Sequence, residues 1–294
     1  MGETTLDRSE IVVGTDGTAT ALRAVAWAAA EARARGAALR ILHAAPYATP
    51  AAPAGRRRAA GILGRAHAIA HQREPQLDIV VEQLDQQPAD ALLRASDQAE
   101  LLVIGLISGT SGQVVLGSLA YSVTAQARCP VTVVHSNERT LAPSLPVVVG
   151  VQDVSADAPA IALAFADAER HGTGLIVVHV RHGSLRERIT GGKNDEHAAT
   201  SIAEELSEWR AGHPAVPVDV RVLHGNPAVA LMEVAEQSRL AVVASHSHGP
   251  AARAVLGSTS QALLRLCPCP VTVVQRKSVV ADDATASTGV AERR

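Results

Sequence analysis

The sequence has very few aromatic residues and no long apolar run. Phe, Trp and Tyr together make up only 2% of the 294 residues, so aliphatic side chains must form any hydrophobic core. The longest apolar runs have the length of a strand, well below the roughly 20 residues that a membrane-spanning helix needs. We therefore expect an aliphatic core and no membrane partner.

The sequence also contains few cysteines. Three cysteines are too few for a disulfide framework, and residues 1–10 lack the apolar segment of a secretory signal, so we expect a cytoplasmic protein. Cys267 and Cys269 raise the alternative of a metal or redox pair. We favour buried structural thiols, because Cys269 repeats Cys129, which has no such neighbour.

The formal net charge is −2, and the sequence shows no long basic stripe. The short basic run in residues 55–65, GRRRAAGILGR, is more typical of a solvated helix face than of a nucleic-acid-binding surface. We therefore expect no nucleic-acid partner.

What the sequence does contain is a long internal repeat. Residues 114–134, VVLGSLAYSVTAQARCPVTVV, return as AVLGSTSQALLRLCPCPVTVV in residues 254–274, at an offset of 140. Earlier segments match at offsets of 136 and 139. This period is too long for a solenoid repeat and predicts two domains of one fold, 1–140 and 146–277. Residues 278–294 lack periodicity and are predicted to be a mobile C-terminal tail.

Each half alternates short β-branched apolar runs with Ala-rich helical segments, which predicts an α/β fold. The first helix is expected to start after an N-cap at Thr18 and to stop at Gly36. We predict two tandem open parallel five-stranded sheets with helices on both faces, Rossmann-like, with strand order 3-2-1-4-5. The last strand of each half, 130–134 and 270–274, lies at a sheet edge and must be paired or covered by a helix.

Ligands of open α/β sheets bind at the carboxyl ends of the strands, where the strand order reverses. In the first half, the first strand ends at Gly14-Thr15-Asp16, and the fourth is followed by the Gly- and Ser-rich segment 105–118. Glycines expose backbone N–H groups, and a helix N-terminus attracts phosphate. A flexible loop with a serine helix cap explains segment 105–118 equally well.

Two common nucleotide motifs are excluded. Segment 105–118 has no Gly-Lys-Ser/Thr, so it is not a Walker A loop. Its glycines follow the fourth predicted strand rather than the first, so it is not a dinucleotide fingerprint. The spacing of residues does not support a catalytic triad or an acid–base pair. We predict neither catalytic nor metal-binding residues.

Residues 9–277 resemble a tandem universal stress protein. Nucleotide-binding members of that family carry Gly-x2-Gly-x9-Gly-Ser/Thr after the fourth strand and an Asp soon after the first strand. The resemblance implies that the Asp contacts adenosine, that the end of the second strand touches the base, and that the glycine loop holds the phosphates. It also implies that segments 130–134 and 270–274 pair with each other, and it allows a homodimer.

In the first half, the resemblance places nucleotide contacts at seven positions that match the family pattern: Gly14, Thr15, Asp16, Ala44, Gly105, Gly117 and Ser118. Ser108 stands where the second glycine is expected, and the loop is one residue short, so Gly109 or Gly112 is the candidate for the tight turn. Asp16 also suits a helix cap, and Gly117 suits close helix packing.

In the second half, the corresponding positions are Gly150, Gln152, Ser247, Gly257 and Ser258. Gln152 occupies the Asp position, and Ala244 and Ser247 replace both earlier glycines. The sequence therefore ranks the first half above the second as a nucleotide site.

His43 and His179 recur at the second strand of each half and are expected to be structural. His246 and His248 are expected to be solvated loop residues that could add positive charge for phosphate below about pH 6.5.

The leading functional hypothesis is a stress-response protein that binds ATP or a related adenine nucleotide, with Mg²⁺ left open. It would act as a sensor or regulator with at most slow hydrolysis. The alternative is a nucleotide-independent dimeric scaffold of the same fold. A third hypothesis is an enzyme that acts on an adenylated substrate.

Overall fold

The computed structural model describes residues 9–48, 52–106, 117–135, 144–181, 192–245 and 256–275. Ser108, Gly109, Gly112, Ser247 and the predicted tail 278–294 lie outside these ranges, as do His246 and His248. No helix in the described ranges is both long and apolar enough to cross a bilayer.

The first half alternates strands and helices as predicted. Its strands are β1 (Glu10–Gly14), β2 (Ala38–Ala44), β3 (Ile79–Leu84), β4 (Leu101–Leu106) and β5 (Val131–His135). Its helices are α1 (Ala19–Arg35), α2 (Pro53–Arg73), α3 (Pro88–Ala95) and α4 (Ser118–Gln126).

The second half repeats this order, with one additional short helix. Its strands are β6 (Val147–Gly150), β7 (Leu175–Arg181), β8 (Val218–His224), β9 (Leu240–Ser245) and β10 (Val271–Gln275). Its helices are α5 (Ala158–Arg170), α6 (Gly192–Glu205), α7 (Ser207–Gly212), α8 (Pro227–Ala235) and α9 (Ser258–Leu266).

The ten strands form one sheet in the order β3-β2-β1-β4-β5-β10-β9-β6-β7-β8. Each half is parallel and has the predicted order 3-2-1-4-5. Strands β5 and β10 pair antiparallel, with Thr132 opposite Thr272, so the predicted pairing of 130–134 with 270–274 is confirmed. The two buried threonine hydroxyls are 2.8 Å apart and hydrogen-bonded. The two half-sheets are therefore joined at these edges rather than separate.

Helices cover both faces of the sheet. The core on one face combines residues of α1, α2, α5 and α6, and the core on the other combines residues of α3, α4, α8 and α9. The two half-sheets run antiparallel to each other. The strands β1–β5 therefore have their carboxyl ends on the side of the sheet where β6–β10 have their amino ends. The two candidate sites therefore open on opposite sides of the molecule along the strand direction.

The three cysteines are buried and free, as the structural interpretation predicts. The sulfur atoms of Cys267 and Cys269 are 3.8 Å apart. Burial raises the pKa of Cys129 to about 12, so its thiol stays protonated and unreactive at neutral pH.

Helix α1 begins and ends as its sequence predicts. Thr18 is the N-cap, and its Oγ1 accepts a hydrogen bond from the Ala21 N–H at 3.3 Å. Gly36 ends the helix in the left-handed region, at φ 65°.

We expect Gly36→Ala to lower the free energy of unfolding by about 1 kcal/mol, because a Cβ is unfavourable in the left-handed region. A Cβ at this position meets no described atom within 4 Å, so conformation alone sets the cost. Gly64→Ala is the matched control. Gly64 lies within α2 with the same open surroundings, and alanine should stabilise the helix there by about 0.5–1 kcal/mol. Urea unfolding measures both changes in the free energy of unfolding. If both substitutions changed it in the same direction, the left-handed conformation assigned to Gly36 would be contradicted.

Candidate functional site

A cleft of about 600 Å³ lies at the carboxyl ends of β6, β7 and β9 in the second half. This is the place where the strand order reverses, as expected for a ligand site in an open α/β sheet. Four of the predicted positions line it: Gly150, Gln152, Gly257 and Ser258. The structure therefore brings together every second-half candidate that it describes. We call this space the second-half cleft.

The N-terminus of α9 forms one wall of the second-half cleft. Gly257 is the N-cap residue, and no side chain caps the helix. Ser258, Thr259 and Ser260 line the cleft, and the N–H groups of a first helical turn have no partner within the helix. This wall is suited to an anionic group.

The structure corrects the serine-cap interpretation of segment 105–118, and the second half shows the same arrangement. Helices α4 and α9 have Gly117 and Gly257 at the N-cap, and Ser118 and Ser258 occupy the first helical position. A Cβ at Gly117 would meet no described atom within 4 Å. Close helix packing therefore gives no reason for glycine at this position among the described residues.

The loop between β6 and α5 forms the rim of the second-half cleft, and Asp157 fixes its shape. The Asp157 side chain is fully buried, and its Oδ2 accepts hydrogen bonds from the N–H groups of Gln152 at 2.8 Å and Asp153 at 3.1 Å. The side chain of Gln152 remains exposed at the rim. Sequence reasoning missed Asp157, although an Asp immediately before a helix is a recognisable cap position.

His179 lies in the second-half cleft, and the same contact is found at His43. His179 Nδ1 donates to the Val151 carbonyl at 3.0 Å, and His43 Nδ1 donates to the Thr15 carbonyl at 2.7 Å. Each histidine ties the end of the first strand of its half to the second strand, which agrees with the predicted structural role. Nε2 of His43 lies 2.8 Å from the Tyr47 hydroxyl.

Two of the strand-end glycines pack closely against leucine side chains, which would have to shift to admit a larger residue. A Cβ at Gly150 would lie 2.8 Å from Cδ1 of Leu231, and one at Gly14 would lie 2.9 Å from Cδ2 of Leu92. Leu231 also belongs to the apolar wall of the cleft, together with Val178, Val180, Pro227 and Val243. This apolar wall was not predicted, because it comes from residues that sequence analysis assigns to the core.

In the first half, Asp16 supports the helix cap rather than capping α1 itself. Asp16 is exposed, and its Oδ1 accepts from the Thr18 N–H at 2.9 Å and from the Thr18 hydroxyl at 2.7 Å. Thr15 is buried, and its N–H donates to the Leu42 carbonyl at 2.9 Å.

The other first-half candidates lie at the same edge of the sheet. Ala44 ends β2 and is half-buried, opposite Leu84 of β3. A Cβ at Gly105 would lie 2.8 Å from the Thr20 carbonyl oxygen, so β4 needs glycine to pack against α1. The rest of the predicted phosphate loop, with Ser108 and Gly109, lies outside the described residues.

Comparison with known proteins follows the same division into halves. The model of the universal stress protein family matches residues 8–135 and 145–275. A universal stress protein of Mycolicibacterium smegmatis is 32% identical over 291 residues, which cover 90% of this chain and 96% of the relative. One from Mycobacterium tuberculosis is 31% identical over 287 residues, with 90% and 97% coverage.

Among solved structures, a universal stress protein of Archaeoglobus fulgidus aligns with a TM-score of 0.69. The alignment covers 91% of this chain and 98% of that protein, at 17% identity. The likeness concerns the fold of both halves.

Proposed function

This chain belongs to the universal stress protein family, and on that premise we propose that it binds ATP or a related adenine nucleotide in the second-half cleft. The observation that carries the proposal is the cleft itself, which brings Gly150 and Gln152 at the end of β6 together with Gly257 and Ser258 at the start of α9. Its volume of about 600 Å³ is within the range of small-molecule sites.

The phosphates would lie at the N-terminus of α9. Helix N-termini carry a partial positive charge, and the Ser258 and Thr259 hydroxyl groups add donors that can follow an anion. Arg181 also lines the cleft, although it lies 3.5 Å from the carboxylate of Asp195. Backbone and hydroxyl donors therefore carry most of this recognition.

The adenosine would lie against the β7 side of the cleft. Val180 stands at the position equivalent to Ala44, which the family resemblance places against the base. Val178, Val180 and Leu231 provide an apolar surface, and Gln152 offers both a donor and an acceptor for the ribose or base.

We propose a sensor or regulator rather than an efficient ATPase. The described lining contains no lysine and no carboxylate, which are the groups that commonly hold phosphate and Mg²⁺ in hydrolases. A ligand that binds only the folded state stabilises it by mass action, by about 2.7 kcal/mol at 100 times its dissociation constant. Nucleotide binding would thus be read out as a change in stability and in the surface around the cleft.

This proposal places the second half above the first, which reverses the ranking from the sequence. Asp16 and Gly105 match the family pattern better, but their contacts are with Thr18 and α1. We retain the domain bounds 1–140 and 146–277 as part of the proposal.

The test is nucleotide retained by the purified full-length protein, measured as the 260/280 nm absorbance ratio and identified by mass. Two matched double variants separate the halves: Gln152→Ala with Ser258→Ala, and Asp16→Ala with Ser118→Ala. We expect the first variant to lose at least tenfold in affinity for ATP and the second to retain binding.

The opposite pattern would move the site to the first half. Retention of full affinity by both double variants would contradict nucleotide binding at the predicted positions. Absence of any ATP binding in wild-type protein would favour the nucleotide-independent scaffold.

A further inference from the structure

The first half contains a second cleft, of about 450 Å³, between the β1–α1 turn and α2. Its lining consists of Asp16, Gly17, Thr18, Arg57, Arg58, Gly61, Ile62 and Arg65. Helices α1 and α2 pack on one face of the sheet, whereas α8 and α9, which border the second-half cleft, pack on the other. The arginine-lined cleft is therefore not the first-half copy of the second-half cleft.

Three exposed guanidinium groups line this cleft against one carboxylate. In the described part of the chain, Arg57 and Arg65 form no ion pair, and Arg58 lies over the ring of Tyr47, 5.5 Å from its centroid. The carboxylate of Asp16 already accepts two hydrogen bonds from Thr18. The lining thus carries an excess of positive charge that no described protein group neutralises.

The placement of these arginines opposes the stability of α2. The helix contains five arginines and no Asp or Glu, and residues 56–58 are three consecutive arginines in its first two turns. Cations near a helix N-terminus are unfavourable, and neighbouring like charges repel. The equivalent helix of the second half, α6, has four acidic residues and no arginine. The repeated fold therefore does not require a basic helix here.

Glycine keeps the space between the turn and α2 open. A Cβ at Gly61 would meet no described atom within 4 Å. Gly17 has φ 81°, and a Cβ there would lie 2.9 Å from Cγ1 of Ile62 and 3.2 Å from Nη2 of Arg65. The turn can therefore approach α2 closely at Gly17, because this residue has no side chain to fill the cleft.

From these observations we propose that the arginine-lined cleft binds a small anion that carries two or more phosphate groups. Guanidinium groups bind phosphate oxygens through paired hydrogen bonds, and they remain charged at any physiological pH. The three guanidinium groups and the one carboxylate of the lining carry a net positive charge. This charge matches a ligand with several negative charges better than a ligand that carries only one carboxylate. This site goes beyond the nucleotide site proposed above, because it lies on the other face of the sheet and needs no adenine.

The test is calorimetric titration of the full-length protein with inorganic tripolyphosphate at constant ionic strength. We expect Arg57→Gln with Arg65→Gln to lower the affinity at least tenfold. The matched control is Arg33→Gln with Arg73→Gln, which removes the same charge from exposed positions outside the cleft lining. The control should bind as wild type, and an equal loss in both double variants would overturn the proposal in favour of nonspecific charge.

Two further arms separate this site from other binding modes. The Gln152→Ala, Ser258→Ala protein should still bind one tripolyphosphate per chain, and loss of that binding would place the anion in the second-half cleft and overturn the proposal. Vesicles that contain phosphatidic acid, and duplex DNA, should bind more weakly than tripolyphosphate. Tighter binding of either would overturn it by showing a membrane or nucleic-acid surface. Because tripolyphosphate lacks a base, either proposed site can fail while the other survives.

Discussion

Glu31→Gln is expected to lower the free energy of unfolding by about 3 kcal/mol at pH 7, since breaking one partner out of a buried ion pair typically costs about 3–5 kcal/mol. Glu31 lies on α1 with a side chain only 1% exposed. Its Oε1 accepts from Arg35 Nε at 2.7 Å, and its Oε2 lies 3.0 Å from Nε2 of His171, the C-cap of α5. The glutamate therefore connects the two halves.

The charged groups around Glu31 form a buried cluster across the domain interface. Its members are Glu31 and Arg35 of α1, Glu100 before β4, Asp167 and Arg170 of α5, His171 at the C-cap of α5, and Arg239 before β9. Arg239 Nη1 donates to Asp167, and Arg35 Nη1 donates to Glu100 at 2.6 Å. Ligand atoms of Glu31, Asp167 and His171 lie close enough together for a metal ion. Three guanidinium groups already compensate the carboxylates, which disfavours a cation.

The pKa values of the two central carboxyl groups shift in opposite directions. Burial raises the pKa of Glu31, but the hydrogen bond from His171 and the charge of Arg35 outweigh it and hold the pKa well below its usual value. Burial and the negative charge of Glu31 raise the pKa of Asp167 to about 6, against the effects of Arg239 and His171. Removing the charge of Glu31 relieves Asp167, so the expected loss lies at the low end of the range.

These directions fix the pH dependence of the Glu31→Gln effect. A carboxyl group with a lowered pKa contributes stability above its unfolded pKa of 4.5, and that contribution is lost as the pH falls below it. The raised pKa of Asp167 acts oppositely: its contribution is present below 3.8 and is lost as the pH rises through about 6. Because the penalty for ionising Asp167 depends on Glu31 and grows as the pH rises through about 6, the difference between wild type and Glu31→Gln should be largest between about pH 4.5 and 6. It should be smaller at pH 7 and should shrink again well below pH 4.5.

Urea unfolding at pH 7, pH 5 and pH 3, followed by tryptophan fluorescence, measures this difference. Glu208→Gln is the control, because Glu208 is exposed on α7 and its change should stay within about 0.5 kcal/mol. A pH-independent loss, or one no larger than that of the control, would show that the cluster does not stabilise the interface.

The charged cluster shows what the sequence could have revealed and why it was missed. Asp167 follows Glu31 at the repeat offset of 136, and His171 follows Arg35 at the same offset. Arg239 follows Glu100 at 139. Charged residues in an Ala- and Arg-rich helix suggest a solvated face, and only their recurrence in both copies at positions facing the partner domain indicates burial.

The fold itself was largely predictable, because it depends on local sequence patterns and on individual cap residues that can be recognised without the structure. β-branched runs gave the strands, Thr18 and Gly36 bounded α1, and the repeated PVTVV segments met as paired edge strands. The cap positions of α4 and α9 were wrong by one residue. A flexible Gly-Ser sequence does not fix which of the two residues leaves helical geometry.

The candidate site was predictable in place but only partly in composition. The ends of β6 and β9 and the start of α9 meet at one cleft, as parallel-sheet topology requires. The buried Asp157 and the apolar wall with Leu231 depend on tertiary packing that no local pattern reports. The sequence predicts a solvated face for the arginines of α2, because it does not show that Gly17 and Gly61 leave a concave space beside them.

Phe165→Ala should also destabilise the protein strongly, by about 3–5 kcal/mol. Phe165 is the single phenylalanine of the chain and is completely buried. Its ring stacks against Trp209, with centroids 6.3 Å apart, and against His213 at 5.4 Å. The equivalent position in the first half is Ala29. At this position the second half therefore has a large buried side chain that the first half lacks.

The loss at Phe165 should be felt in both halves. Phe165 belongs to a continuous buried cluster that includes Val134 of β5 and residues of α1 as well as its own half. Trp27 reports on the first half and Trp209 on the second, so single-tryptophan versions of the protein give separate unfolding curves. Because the shared sheet and the Glu31 cluster join the halves, Phe165→Ala should shift both midpoints together, whereas Val229→Ala at an exposed site should shift neither. If only the Trp209 midpoint fell, the halves would unfold independently, and the antiparallel β5–β10 junction would contribute little to cooperativity.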